Sequence, residues 1–178
     1  LIYPQPILSD IEFDTDGDML IGLMDRLGHQ TGEVNYSTSA ATTSFNFYDF
    51  TTGYTITPVT ITAGSTFEGA SAGDILRVCN VAGTFVLENN ATCGGITTGG
   101  AGSAPAQGPG GGEYYWQDMY AVSGNLNSGT HNEVTLGGLA LMPGADEIAV
   151  SVFDPFDIRS GGVAWFSNLT GARTRAFE

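Results

Sequence analysis

Residues 73–83 read GDILRVCNVAG, and residues 161–171 read GGVAWFSNLTG. The two stretches match at a constant offset of 88 residues, and each runs from a strand-like segment into an Asn-x-x-Gly turn that precedes a second strand. Glycine in such a turn supplies the positive φ that a tight hairpin requires. The pair therefore predicts two copies of one β-hairpin.

A second type of hairpin also occurs twice. In the first copy Ile11 and Phe13 alternate with acidic residues, a turn follows, and the apolar run MLIGLM (19–24) ends at Asp25. In the second copy LALM (139–142) leads into a turn with one extra residue, and IAVSVF (148–153) ends at Asp154. Apolar residues at successive positions indicate a strand that is buried on both faces. The chain thus contains two copies of a hairpin, a connection and another hairpin.

Four antiparallel strands per copy are typical of a β-propeller blade, and repeats of such units are a sign of propellers. We expect an all-β, β-propeller-like fold with about two four-stranded antiparallel blades of a larger ring and long Gly- and Thr-rich loops. The predicted organisation is one segment, 1–178, with blade one at about 8–92 including an inserted loop 31–69, a Gly-rich loop 94–112, and blade two at about 132–178. A ring needs at least four blades, so further chain, a partner polypeptide or a self-assembled neighbour must supply the others.

Composition and charge restrict the function classes. The chain has 26 Gly, ten Phe and seven Tyr, which favours strands and turns. Nineteen acids face five bases, giving a net charge of −14, which argues against nucleic acid and anionic membranes as partners. The charge suits solubility outside a cell or recruitment of divalent cations. No apolar run approaches about 18 residues, so we expect no transmembrane segment; the start at Leu1 suggests a mature or internal piece of a longer polypeptide.

Cys79 and Cys93 are the two cysteines of the chain. Their spacing permits a disulfide that closes the loop after a hairpin, and such a bridge would accompany an extracellular setting. Two free buried thiols are the alternative.

Asp14, Asp16 and Asp18 place three carboxylates within five positions, and carboxylate oxygens are the ligands that Ca²⁺ prefers. Gly17 stands fourth in this stretch, whereas a helix-loop-helix calcium loop needs Gly at the sixth position, so that motif is excluded. Two interpretations remain, an Asp-Gly hairpin turn and a Ca²⁺ site.

An aromatic run, from Tyr114 through Tyr115 and Trp116 to Tyr120, follows the Gly-rich loop. These four residues are candidates for ligand binding, because Tyr and Trp offer large contact areas with a polar tip and could stack on sugars or anchor a neighbouring subunit. Packing of the run onto its own blade is the alternative.

Other polar residues are weaker candidates. Asp25 and Asp154 occupy equivalent positions after a buried strand, where an acid commonly accepts backbone hydrogen bonds. His29 and His131 could form a metal or acid–base group with Glu113 and Glu133 if their loops converge. No Gly-x-Ser-x-Gly nucleophile motif occurs, and we assign no catalytic residue.

Eight segments carry a family resemblance: SDIEFD (9–14), MDR (24–26), GHQ (28–30), GDILR (73–77), GGGEYYW (110–116), HNE (131–133), FDP (153–155) and GGVAW (161–165). Together they resemble the propeller-like region of large bacterial secreted and surface proteins, which often also carry B-type repeats of serine-aspartate adhesins. The resemblance implies a secreted or surface-attached architecture and transfers no active site.

We therefore expect a secreted or cell-surface segment with a structural or adhesive role that assembles with further blades or subunits, as an oligomer or filament. A carbohydrate-binding module or a glycoside-acting enzyme on a propeller scaffold is the alternative. Ca²⁺ is the cofactor to consider, since a calcium-dependent scaffold would lose thermal stability in a chelator.

Overall fold

The computed structural model of this chain describes residues 6–26, 35–36, 43–48, 56–61, 66–67, 73–102, 108–118, 135–153 and 161–177. The elements with described bounds are β-strands and one short 3-10 turn at Pro109–Gly111, and the predicted all-β class is confirmed. The strands are β1 (Pro6–Phe13), β2 (Met19–Asp25), β3 (Asn35–Tyr36), β4 (Thr43–Tyr48), β5 (Ile56–Ile61), β6 (Thr66–Phe67), β7 (Asp74–Val81), β8 (Thr84–Leu87), β9 (Thr92–Cys93), β10 (Ile96–Thr97), β11 (Thr135–Leu141), β12 (Glu147–Phe153), β13 (Gly161–Ser167) and β14 (Arg173–Phe177).

Two four-stranded antiparallel sheets dominate the fold. The first sheet has the order β1-β2-β7-β8 and the second has the order β11-β12-β13-β14. Each consists of two hairpins side by side, as the repeated sequence predicts. Three two-stranded sheets, β9 with β10, β3 with β6 and β4 with β5, complete the described strands.

The chain divides into two compact units, one formed by 1–5 with 26–70 and the other by 6–25 with 71–178. The first unit contains β3 to β6, which form the pairs β3–β6 and β4–β5. The second unit contains both four-stranded sheets. Residues 26–70 therefore enter the sequence between two neighbouring strands of the first sheet, β2 and β7.

The hairpin turns use the residues that their geometry requires. In the turn between β7 and β8, Ala82 and Gly83 have φ values of 51° and 87°, and the side-chain oxygen of Asn80 accepts a hydrogen bond of 2.8 Å from Gly83 N. In the equivalent turn after β13, Gly171 has φ 68° and donates its N–H to the carbonyl oxygen of Ser167 at 2.8 Å. Positive φ at Gly is the conformational reason for both repeated glycines.

The two large sheets pack face to face, with β11 lying against β1 and β2. Leu20 and Ile75 from the first sheet are fully buried with Ile148, Val150 and other residues of the second sheet in one hydrophobic core. The backbones come closest at Gly22 and Gly137, where a methyl group at position 22 would overlap the carbonyl group of Gly137. Glycine at both positions allows this approach.

Polar groups of β1 bridge the same junction. The hydroxyl of Ser9 lies 2.7 Å from the carbonyl oxygen of Gly137 and 2.8 Å from that of Gly22. The carboxylate of Asp10 accepts a hydrogen bond of 2.9 Å from the backbone N–H of Leu139. These contacts satisfy backbone groups of the junction that packing removes from water.

In the described ranges, no helix has the length and apolar character that crossing a membrane requires.

Candidate functional site

The first sheet has apolar side chains on both faces. Directly opposite residues of antiparallel neighbours point to the same side, and successive residues of a strand point to opposite sides. The strand register therefore divides the sheet into an inner face, which contains Leu20, Gly22 and Ile75 and contacts the second sheet, and an opposite face. We call the opposite face the open face. The register also places Asp74 and Asn80 on it, and its apolar residues are Leu8, Ile11, Phe13, Met19, Ile21, Leu23, Leu76, Val78, Phe85 and Leu87.

Much of the open face is accessible to solvent. Ile11, Phe13 and Phe85 are 44%, 53% and 46% exposed, and Leu8 and Leu87 are exposed to a similar degree. The rings of Phe13 and Phe85 meet edge to face with their centroids 6.0 Å apart. These exposed apolar residues make the open face a candidate interaction surface.

The face of the second sheet that corresponds to the open face is covered. By the repeat, Ile11, Met19 and Ile21 correspond to Leu139, Ile148 and Val150, and Leu76 and Val78 correspond to Ala164 and Phe166. Those five counterparts are all buried, from 6% exposure for Leu139 to 0% for the others, because the inner face of the first sheet packs on them. The same type of face is thus covered in one copy and open in the other.

The far side of the second sheet corresponds to the inner face of the first. We call it the outer face; the register places Ala140, Ala149, Ser151, Val163 and Trp165 on it. Ala149, Ser151 and Val163 are the counterparts of Leu20, Gly22 and Ile75. They are half-buried, and the guanidinium of Arg175 stacks over Trp165 at 4.7 Å from the ring centroid.

The aromatic run forms a strap, residues 113–118, that joins the two sheets. Tyr114 and Tyr115 are fully buried, and their hydroxyl groups donate hydrogen bonds to the carbonyl oxygen and the side-chain oxygen of Asn168 at 2.6 and 2.9 Å. The ring of Tyr115 contacts that of Phe166, with centroids 6.1 Å apart. Two of the four candidate ligand-binding residues therefore lie in the core, where they pack the run onto the sheets.

Trp116 is half-buried and Tyr120 lies outside the described residues. The indole N–H of Trp116 donates to the carbonyl oxygen of Thr170 at 3.3 Å, and its ring covers the backbone of Gly99 and Gly100. Trp116 thus fastens the strap to the β13–β14 turn.

Arg77 is a buried charge on the inner face of the first sheet. It is 2% exposed, and its Nη2 atom lies 2.5 Å from Asp14 Oδ2 and 2.8 Å from Asp18 Oδ2. Its Nη1 atom donates to the hydroxyl of Tyr115 at 3.2 Å, and the guanidinium lies 5.0 Å from the centroid of the Tyr114 ring. The cation is therefore surrounded by two carboxylates and two phenols, as a buried arginine requires.

These contacts show how the Asp14–Asp18 turn uses its acids. Asp14 Oδ1 accepts the backbone N–H groups of Asp16 and Asp18 at 3.0 Å each, and Asp18 Oδ1 accepts that of Asn80 at 2.8 Å. The side chain of Asp16 is exposed. Two of the three predicted Ca²⁺ ligands thus have their oxygens occupied by donors of the protein itself.

Glu88 extends this buried network toward the strap. It is 1% exposed, and its two oxygens accept the backbone N–H groups of Arg77 at 2.8 Å and Tyr114 at 2.6 Å. Burial raises the pKa of Glu88 to about 7; the charge of Asp74 adds to the rise, whereas the two backbone hydrogen bonds and Arg77 oppose it.

Asp74, Glu113 and Asp118 form a carboxylate cluster. One oxygen of each lies within 4.8 Å of the others, Glu113 and Asp118 are buried, and Asp74 is half-buried. Carboxylate oxygens at this spacing could together hold a hard cation such as Ca²⁺. The cluster is distinct from the Asp14–Asp18 turn, and of its three acids only Glu113 stood out in the sequence.

Cys79 and Cys93 form a disulfide whose Cα atoms are 5.6 Å apart, and both residues are buried. It ties β7 to the short strand β9. Beside it, a surface depression of about 390 Å³ is lined by Val81, Val86, Leu87, Asn89, Asn90, Thr92, Cys93 and Gly94.

The weaker polar candidates of the sequence have the following positions. His29, His131, Glu133 and Asp154 lie outside the described residues, whereas Asp25 is buried at the end of β2. Sequence reasoning missed Arg77 and Glu88 as functional candidates. The available signal for Arg77 was a charged residue between two apolar neighbours, Leu76 and Val78, in the strand DILRVCNV.

No family model matches this sequence, and no solved structure matches it. The chain is similar to Colossin-A from Dictyostelium discoideum, with 30% identity over 181 residues. The alignment covers 98% of this chain and 1% of Colossin-A, so the chain spans a very small part of that relative. Colossin-A comes from a eukaryote, and the resemblance to bacterial surface proteins stays a prediction.

Proposed function

We propose that this chain is a structural or adhesive segment of a secreted or cell-surface protein, built from propeller-like blades that stack face to face. In this proposal the two four-stranded sheets are consecutive blades, and the open face of the first sheet receives a further sheet. The role of the chain is then to form part of a continuous stack of sheets, and not to catalyse a reaction.

One observation carries the proposal: equivalent faces of the two sheets differ in burial. Ile148 and Val150 are fully buried by the neighbouring sheet, whereas their counterparts Met19 and Ile21 remain partly accessible on the open face. Covering apolar surface stabilises an assembly by about 25 cal/mol per Å² removed from water. A sheet on the open face would bury it as the first sheet buries the second.

The extracellular setting has separate support. The Cys79–Cys93 disulfide is a type of bond that persists in oxidising compartments. The net charge of −14 keeps a protein with exposed apolar surface soluble.

Oxidative footprinting of the protein purified from its native material tests this function. Modification of Phe13 and Phe85 is compared with that in the isolated 178-residue chain kept dilute. Leu169 is the internal control, since it is 52% exposed and lies in the turn between β13 and β14 of the second sheet. We expect protection of the two phenylalanines and no change at Leu169. Equal modification of the phenylalanines in both samples would refute an occupied open face.

A further inference from the structure

We infer that the open face binds the outer face of a second copy of this chain, in a head-to-tail contact. The inference rests on the proposed function, in that it names the partner of the same face. Three features support it: the pairing rule of the junction inside the chain, the side-chain sizes on the two faces, and the symmetry that results.

The junction inside the chain pairs unlike faces. The inner face of the first sheet, with Leu20, Gly22 and Ile75, packs on Leu139, Val150 and their neighbours in the second sheet. By the repeat, the outer face of the second sheet corresponds to the inner face of the first sheet. The open face of the first sheet corresponds to the buried face of the second sheet, which carries Leu139 and Val150. Repetition of the same junction between two copies therefore places the outer face of one chain on the open face of the next.

Side-chain size agrees with this pairing over the part of the outer face that β11 and β12 form. The open face projects large groups such as Ile11 and Phe13, whereas β11 and β12 have Ala140 opposite Ala149 and a serine at position 151. The large residues of the outer face, Trp165 and Arg175, lie on β13 and β14. Ser151 occupies the position that Gly22 has in the internal junction, where the two backbones come closest. Small residues let a second sheet approach closely, as glycine does within the chain.

The resulting contact is heterologous, because each copy contributes a different face. A short linear array of copies therefore has a free open face at one end and a free outer face at the other. Such an array closes into a ring or continues as a filament. The high negative charge opposes association at low ionic strength. Added salt should therefore strengthen the contact, since it screens the repulsion between copies.

The test uses two blocking variants of the 178-residue chain. Ile11→Lys blocks the open face and Ala149→Lys blocks the outer face, and Leu169→Lys, in an exposed turn, carries the same charge as a control. Sedimentation equilibrium at 0.15 M salt or above measures association. We expect wild type and the control to associate, and each blocking variant alone to associate at least tenfold more weakly.

Mixing the two blocking variants gives the decisive result. Each still has one intact face, so an equimolar mixture should form one-to-one heterodimers that grow no further. Phe85→Lys with Ala140→Lys is a second pair for use if either variant fails to fold. Circular dichroism identifies folded samples.

Two other results would overturn the inference without touching the proposed function. If Ala149→Lys associates like wild type while Ile11→Lys does not, the open face pairs with itself. If concentrated wild type stays monomeric in added salt, the partner is not a second copy. In both cases footprinting of the native material still decides whether the open face is occupied.

Discussion

The backbone of Gly22 in β2 lies directly against that of Gly137 in β11, so the two sheets meet where neither residue has a side chain. A methyl group at position 22 would overlap a carbonyl group, which cannot move without shifting β11. We expect Gly22→Ala to lower the free energy of unfolding by about 3 kcal/mol, at the upper end of the cost of overpacking. Urea unfolding measures this.

Gly161→Ala is the matched control for that change, because a methyl group at position 161 in β13 would meet no atom within 4 Å. We expect it to change the unfolding free energy by less than about 0.5 kcal/mol. Equal effects of the two substitutions would contradict the close approach of the sheets.

Arg77→Met should be strongly destabilising. The substitution removes the cation from Asp14, whose side chain is 4% exposed, and from Asp18, which is 15% exposed; loss of one partner of a buried ion pair costs about 3–5 kcal/mol. Arg175→Met removes the 2.8 Å pair with Glu147, in which Arg175 is 52% exposed, and should cost less than about 1 kcal/mol. Thermal unfolding of both variants tests this contrast; similar losses would show that Arg77 has no special role.

Glu88 predicts a fall in stability as pH rises. Its pKa is about 7 in the folded chain against 4.5 for the free side chain, so between these values the folded state binds more protons than the unfolded state. The free energy of unfolding therefore decreases through this window, by roughly 3 kcal/mol in total. Glu88→Gln cannot ionise and should lack this decrease. Urea unfolding of both proteins at pH 5, 6, 7 and 8 makes the comparison; parallel curves would contradict it.

Reduction of the disulfide should destabilise the larger unit. The bridge joins residues 14 positions apart, and closing a loop of that length stabilises a protein by about 3 kcal/mol in the chain-entropy model. We expect dithiothreitol to lower the midpoint of urea unfolding, and the Cys79→Ala/Cys93→Ala double variant to be insensitive to it. A wild-type midpoint that does not respond to reductant would argue against the bridge.

Ala82→Asn should stabilise the β7–β8 hairpin. Ala82 has φ 51°, a left-handed conformation that costs a non-glycine residue about 1–2 kcal/mol and that Asn tolerates better. We expect a gain of about 0.5–1 kcal/mol in unfolding free energy. Ala140→Asn, in a strand without positive φ, is the control and should give no gain.

The sequence was sufficient for the parts of the fold that rest on local patterns. The repeated Asn-x-x-Gly turns and the alternation around Ile11 and Phe13 predicted paired hairpins, because turn chemistry and the two-residue period of a strand are local properties. The spacing of Cys79 and Cys93 likewise permitted the bridge that the structure contains.

The candidate site was harder to predict because it depends on long-range contacts. Arg77 meets Asp14 from 63 positions away, and Tyr115 meets Asn168 from 53 positions away, so neither partner could be chosen from neighbouring sequence. The carboxylate cluster joins Asp74 with Glu113 and Asp118 for the same reason. The sequence alone makes Tyr114 and Tyr115 candidates for binding a ligand at the surface. Both rings are buried by the packing of the strap, which a local sequence pattern does not show.

Segment 26–70 connects two strands that are neighbours in the first sheet, which bears on how far the length of this connection can change. The strands before and after it in the sequence, β2 and β7, are hydrogen-bonded neighbours, with Leu23 opposite Asp74. Lengthening such a connection costs little, about 0.6 kcal/mol for each doubling. We therefore expect the β2–β7 pairing to tolerate connections of different length between these two strands.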